Sequence, residues 1–214
     1  MILIEITNVK SYKILEFIIL FIVIPVSFAI NYSLWLKFSI GCLGFIYIIY
    51  VLVKIESVKL QLLKKIKWKP FWVTISKRFF IIAIFTIVFV CITDSSSLFN
   101  ILLNKPLKWL ILLFFYSFFS VLPQELIYRT FFFKRYAVWF KNNKTLIFIN
   151  SLLFALAHLF FDSILVLILT FVGGLFFSST YKKRESTLLV TIEHAIYGCW
   201  LLTVGMGSFL GFPV

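Results

Sequence analysis

Apolar and polar residues divide this chain into seven long blocks. Runs of Ile, Leu, Phe and Val, each about the length of a bilayer crossing, alternate with short segments that collect the lysines and arginines. The blocks fall roughly at 14–32, 37–53, 79–96, 107–135, 145–162, 163–181 and 187–205. None shows the period-two alternation of a half-buried strand, and a helix satisfies its whole backbone inside hydrocarbon. The pattern predicts an all-α, polytopic transmembrane helical bundle of about seven spans. Pro25 predicts a kink in the first span. The fourth block, about 40 Å long at 1.5 Å per residue, predicts a tilted helix or one broken near Pro123.

Composition strengthens this reading. The chain is 62% hydrophobic and 14% charged over 214 residues, whereas a soluble domain is nearer half apolar and about a quarter charged. A net charge of +13 would suit nucleic acid if it lay on one soluble patch. It lies instead in the gaps between blocks, so the lipid bilayer is the expected partner and nucleic acid is not. Seventeen basic residues fall in the amino-terminal tail and after spans two, four and six, against Lys37, Lys105 and Lys108 on the other side. That asymmetry predicts a cytoplasmic amino terminus and an external carboxyl terminus, as in a bacterial inner (plasma) membrane. Residues 54–78 interleave lysine with Ile, Leu, Val and Trp and predict a basic amphipathic helix on the inner leaflet. Lys10, Lys13 and Ser27-Phe28-Ala29 faintly imitate a signal peptide, but further spans follow at once and predict an uncleaved first helix. Cys42, Cys91 and Cys199 sit in separate blocks with no disulfide or zinc spacing.

Against this background the ionisable residues inside the blocks stand out. Pro123-Gln124-Glu125-Leu126-Ile127-Tyr128-Arg129 places an acid and a base four residues apart, on one helical face. Such residues are costly in hydrocarbon and mark either a site or an ion pair between helices. The chain has two histidines, His158 and His194, both inside blocks. Measured from Arg135, Lys144 and Arg184, Glu125, His158 and His194 lie about 15, 21 and 15 Å deep at 1.5 Å per residue. Three ionisable groups on three helices thus fall near one plane. A carboxylate shielded from water can act as a general base, with imidazoles as proton partners or oxyanion donors. A glutamate and two histidines can also hold a divalent metal with an open position. Three separate helices and no paired His favour the metal-free version, with no cofactor.

Gln-Glu-x-x-x-Arg, then Phe-x-x-x-His, then a histidine on a late helix resemble the three motifs of the CAAX-protease and bacteriocin-processing (CPBP, or Abi) intramembrane endopeptidases. The resemblance covers about residues 107–205, including Gly173-Gly174 and Arg184-Glu185-Ser186. It implies a glutamate-type endopeptidase, although the family is often described as metal-dependent. On that basis Glu125 and Arg129 fill the second acidic and the basic positions of motif one. His158, with Phe154 beside it, fills the water-activating histidine of motif two, and His194 the oxyanion-stabilising histidine of motif three. Two positions depart from the family. Gln124 stands where a first glutamate is usual, so either Glu125 acts as the base or the protein is inactive. Gly198 stands where many members carry Asn, which removes a side-chain oxyanion donor.

Secondary candidates are Asp162, one turn after His158, and Glu193, about 100° round the helix from His194 and able to pair with a neighbouring helix. Asn150, two turns before His158, is a further polar donor. The expected organisation is an amino-terminal membrane region with its basic loop, residues 1–106, and a catalytic core, 107–214. The expected function is cleavage of membrane-anchored proteins or peptides by glutamate-activated water. The alternatives are a non-catalytic scaffold or immunity protein of the same fold, marked by Gln124, and a proton-coupled transporter. Transport would be favoured by inverted repeats, and none is visible.

Overall fold

The computed structural model describes residue 7, residues 9–57 and residues 66–210. Among these residues every regular element is helical, and seven helices are long and apolar enough to cross a membrane. They are α1 (Lys10–Phe28), α2 (Leu34–Ile55), α3 (Trp68–Thr93), α4 (Pro106–Trp139), α5 (Asn143–Phe161), α6 (Ile164–Arg184) and α7 (Thr187–Val204). Ile92 and Phe85 on α3 are 79% and 66% exposed, as side chains facing lipid should be.

The third helix begins at Trp68, well before residue 79. Phe71 and Ile75 are buried, Trp68 and Trp72 place their rings 6.2 and 5.3 Å from Phe71, and the helix continues through Lys69 and Lys77. Residues 68–78 of the expected surface helix are therefore the first turns of α3, and residues 58–65 of it lie outside the described residues.

Two prolines inside spans share one local solution. In α1 a π-helical stretch, Ile19–Val23, precedes Pro25; in α4 another, Tyr116–Val121, precedes Pro123. A proline cannot donate to the carbonyl four residues back and its ring crowds that carbonyl. Widening the preceding turn to i→i+5 bonding accommodates both defects. Accordingly α4 runs 34 residues with no break at Pro123, the second of the two expected alternatives. A second π stretch, Leu126–Phe131, follows, so Glu125 closes a short α-helical turn bracketed by two widened ones.

The chain forms two compact units interleaved in sequence, a division different from the boundary at 106. One comprises Met1–Leu60 with Thr130–Ser178; the other comprises Gln61–Arg129 with Ser179–Val214. Lipid gives helices no hydrophobic reason to associate, so contact depends on close packing and polar bonds. In the first unit, rings of α1 and the end of α4 interlock: Phe21–Phe132 at 5.3 Å, Phe17–Tyr136 at 5.2 Å and Tyr136–Trp139 at 4.9 Å. Arg135, expected as a cytoplasmic loop residue, is instead buried beside them. Its Nε donates to Glu16 Oε2 at 2.8 Å, and its terminal nitrogens donate to Glu56 Oε1 at 2.9 Å and the Thr7 carbonyl at 2.6 Å. The start of α1, the end of α2 and the end of α4 thereby meet, as alternating spans require. On α6, a Cβ at Gly174 would lie 3.0 Å from the Ser151 backbone; the bare glycine is what lets α5 and α6 approach so closely.

The second unit is built round α7. Trp200 Nε1 donates to Thr86 Oγ1 on α3 at 2.9 Å, and Tyr197 donates to the Ile75 carbonyl at 3.2 Å. Trp109 Nε1 on α4 donates to Thr203 Oγ1 at 2.9 Å. Phe79 meets Trp200 edge-on at 5.3 Å. Indoles and hydroxyls thus supply polar bonds between helices while their rings fill the space around them.

Candidate functional site

Successive residues on a helix point about 100° apart, and α7 uses this at Glu193 and His194. Glu193, with no exposed surface, faces α3: Arg78 donates to its Oε1 at 2.6 Å and Tyr197 donates to the same oxygen at 3.0 Å. Arg78 also donates to Thr180 Oγ1 at 3.1 Å. The acid thus pairs with a neighbouring helix. Its cation was invisible to the hydropathy reading, which left Arg78 in a loop.

His194 faces α4. Its Nδ1 lies 2.7 Å from Glu125 Oε1, and its Nε2 lies 3.4 Å from the Tyr116 hydroxyl. Glu125 and Arg129 are completely buried, with Arg129 Nε 3.3 Å from Glu125 Oε2. The carboxylate is therefore held from both sides, by an imidazole on one oxygen and a guanidinium on the other. A buried carboxylate beside a guanidinium forms a neutral pair, which lessens the cost of holding charge in hydrocarbon. Glu125 Oε2 faces that cation without a hydrogen bond from any described residue. With the carboxylate ionised, Nδ1–H donates to Glu125, and a neutral imidazole then carries its lone pair on Nε2.

Gln124 turns away from this arrangement: its Nε2 donates to Ser120 Oγ at 3.0 Å, one turn earlier on α4. Gly198 lies one turn after His194, and a Cβ there would fall 2.0 Å from the Tyr116 hydroxyl oxygen. Tyr116 is the polar neighbour that sequence reasoning missed. It precedes Glu125 by nine residues across a π-helical stretch, where ordinary helical spacing gives no face.

His158 belongs to the other compact unit. The α-helical part of α5 ends at Leu156, so His158 sits in the turn that leads into a short 3-10 segment, Leu159–Phe161, rather than in the middle of its span. Its Nδ1 donates to the Phe154 carbonyl at 2.7 Å, and the buried Phe154 ring stands 4.8 Å from the imidazole. That bond puts the lone pair of a neutral imidazole on Nε2. The carbonyl, rather than Asp162, orients the ring; Asp162 is exposed, in a left-handed conformation at the end of the 3-10 segment. Asn150 is buried and accepts from Ser178 on α6 at 2.7 Å, a contact that ties α5 to α6.

A metal fits the second unit poorly. His194 and Glu125 direct Nδ1 and Oε1 at each other, and Arg129 puts a positive charge beside the remaining carboxylate oxygen. Among the described residues, no three His, Cys, Asp or Glu side chains come together as a ligand set.

Comparison with known proteins agrees with the motifs. The model of the family described as type II CAAX prenyl endopeptidase Rce1-like matches residues 106–200. That range runs from the first residue of α4 to Trp200 on α7 and contains every candidate site residue. No curated protein and no solved structure matches the chain. Over residues 106–200, the chain is thus similar to the type II CAAX prenyl endopeptidase Rce1-like family.

Proposed function

We propose that this protein is an intramembrane endopeptidase that cleaves membrane-anchored proteins or peptides, with Glu125 as the general base. The observation that carries this reading is the hydrogen bond between Glu125 and His194, buried in a membrane span beside Arg129. A satisfied structural ion pair has no use for an additional imidazole on the same carboxylate. The family match supports the reaction class.

In the proposed reaction Glu125 takes a proton from water as the water oxygen attacks the scissile carbonyl carbon. The tetrahedral intermediate then collapses, the C–N bond breaks, and the leaving amine takes up the proton. Arg129 balances the carboxylate charge before transfer and His194 orients the carboxylate through Oε1. His158, held by the Phe154 carbonyl, keeps the water-activating role that the family resemblance implies. Gln124 has no part in proton transfer, because an amide is too weak a base at neutral pH. The amino terminus is assigned to the cytoplasmic side of a bacterial-type plasma membrane from the basic asymmetry.

The test is purified protein in liposomes with a membrane-anchored peptide library, comparing wild type with Glu125→Gln, His158→Ala and Gln124→Ala. Cleavage by the wild type and by Gln124→Ala, but not by the other two, is expected. Full cleavage by Glu125→Gln would remove Glu125 as the base. No cleavage of any anchored peptide by the wild type would favour the non-catalytic scaffold.

A further inference from the structure

The contact between Tyr116 and Gly198 is the feature of the second unit that the reading above leaves unused. At Gly198 even a methyl group would collide with the phenol, at 2.0 Å from its oxygen and 2.4 Å from two ring carbons. The collision is with a whole ring inside a packed helix pair, so it cannot be relieved by rotating a flexible chain end. The hydroxyl seated there lies 3.4 Å from His194 Nε2, and the two rings meet edge-on with centroids 6.3 Å apart. On the far side of the same imidazole, Nδ1 lies 2.7 Å from Glu125. Tyr116, His194 and Glu125 therefore form a chain from α4 to α7 and back to α4, one turn of α7 separating His194 from Gly198.

From this geometry we infer that Tyr116 is a positioning residue for His194 and that Gly198 is small in order to seat it. With Glu125 ionised and the imidazole neutral, Nδ1 carries the proton it donates, so Nε2 is an acceptor and needs a donor. The Tyr116 hydroxyl is that donor. Its bond selects the Nδ1–H tautomer, and that tautomer is the one able to hold the Glu125 carboxylate in place. The distance of 3.4 Å is long for such a bond, as contacts at reactive groups often are before substrate tightens them. The pair also explains the glycine. The space beside the α7 backbone at this position is filled from α4 by a phenol. The inference rests on the proposed peptidase reading for its effect on rate, but the tautomer it assigns to His194 is independent of any reaction.

The experiment exploits a chain with two histidines. Full-length protein with ¹⁵N-labelled histidine in lipid nanodiscs gives two imidazole spectra, assigned with His158→Gln. For His194 the wild type is expected to show a protonated Nδ1 and a hydrogen-bonded, unprotonated Nε2. Tyr116→Phe keeps the ring, deletes the donor, and is expected to shift the Nε2 resonance and mix the tautomers. Gly198→Ala displaces the phenol and is expected to give the same change, with no further change when combined with Tyr116→Phe. In the cleavage assay each single variant should lose about tenfold or more in kcat with little change in KM, a part of the roughly 10²–10⁴ that positioned acid–base groups contribute. Tyr116→Ala/Gly198→Asn, which vacates the space and fills it with an amide donor, should recover most of the lost rate. A His194 spectrum unchanged by Tyr116→Phe overturns the inference, whether or not the protein cleaves anything. A wild type with the expected spectrum but no peptidase activity would overturn the proposed function and leave the positioning bond standing.

Discussion

Among the described residues, two fully buried arginines pair with glutamates, one in each compact unit, and the two sites are built differently. At Arg135 the bonds serve the pair: Glu16 takes Nε, Glu56 and the Thr7 carbonyl take the terminal nitrogens, and Tyr136 donates to Glu16 Oε2 at 2.7 Å while Tyr47 donates to Oε1. Both Glu16 oxygens are engaged, and the charges tie the ends of three spans together. At Glu125 one oxygen is held by His194, and the other faces Arg129 Nε without a hydrogen bond. A saturated pair has no acceptor capacity left for a proton. A pair that keeps some, next to an imidazole, can exchange one. The saturated site reads as architecture and the unsaturated one as chemistry.

That contrast predicts opposite responses to matched substitutions. Glu125→Gln should lower cleavage by about 10³-fold, within the range for loss of a positioned base, while the purified protein keeps its helical circular dichroism. Arg135→Gln should do the reverse. It leaves the buried Glu16 carboxylate, and the part-exposed Glu56, without their cation and should destabilise the fold by about 3–5 kcal/mol in reversible unfolding in mixed micelles, with turnover per folded molecule unchanged. If Arg135→Gln abolishes turnover in protein that remains folded, the division between the two sites fails.

Glu193 is the demanding intermediate case, because its Oε2 also makes no hydrogen bond within the described residues. Its Oε1 holds Arg78 and Tyr197, and its cation is 18% exposed, so the pair is less enclosed than Glu125 and Arg129. Glu193→Gln should destabilise by about 1–3 kcal/mol, the range for a hydrogen-bonded charge, and leave cleavage within a few-fold of wild type. Loss of activity equal to that of Glu125→Gln would transfer the base from α4 to α7. The smallest effect belongs to Trp200→Phe, which keeps the ring contact with Phe79 but deletes the bond to Thr86. About 0.6 kcal/mol is expected from the average interhelical hydrogen bond in a membrane protein, measured by the same unfolding transition.

Particular residues show where sequence reasoning held and where it stopped. Glu125 and Arg129 were legible as a pair because four residues along a helix bring side chains to one face. Phe154 beside His158 was legible for the same reason. Depth from the basic ends pointed His194 toward Glu125; for His158 the count assumed an unbroken helix, and α5 leaves its α-helical course at Leu156. Arg78 and Arg135 were counted as loop charges because a hydropathy window ends a span at its first cations. Removing both leaves the basic asymmetry standing. Tyr116 was out of reach: its position depends on a π-helical stretch that shifts the faces of α4, and on a glycine one helix away.

The sequence by itself determined the number of spans, their order and their helical nature, because lipid offers an unpaired backbone no other partner and the apolar blocks state their own lengths. It also determined which carboxylate and imidazoles are costly enough to be noticed. Only the tertiary structure decided which oxygen of Glu125 faces His194 and which faces Arg129, that Glu193 pairs with Arg78, and that Gly198 makes room for Tyr116. Those choices depend on the rotation of each helix about its axis and on widened turns near proline. Rotation is set by which side chains interlock across helices, and no periodicity along one helix records that.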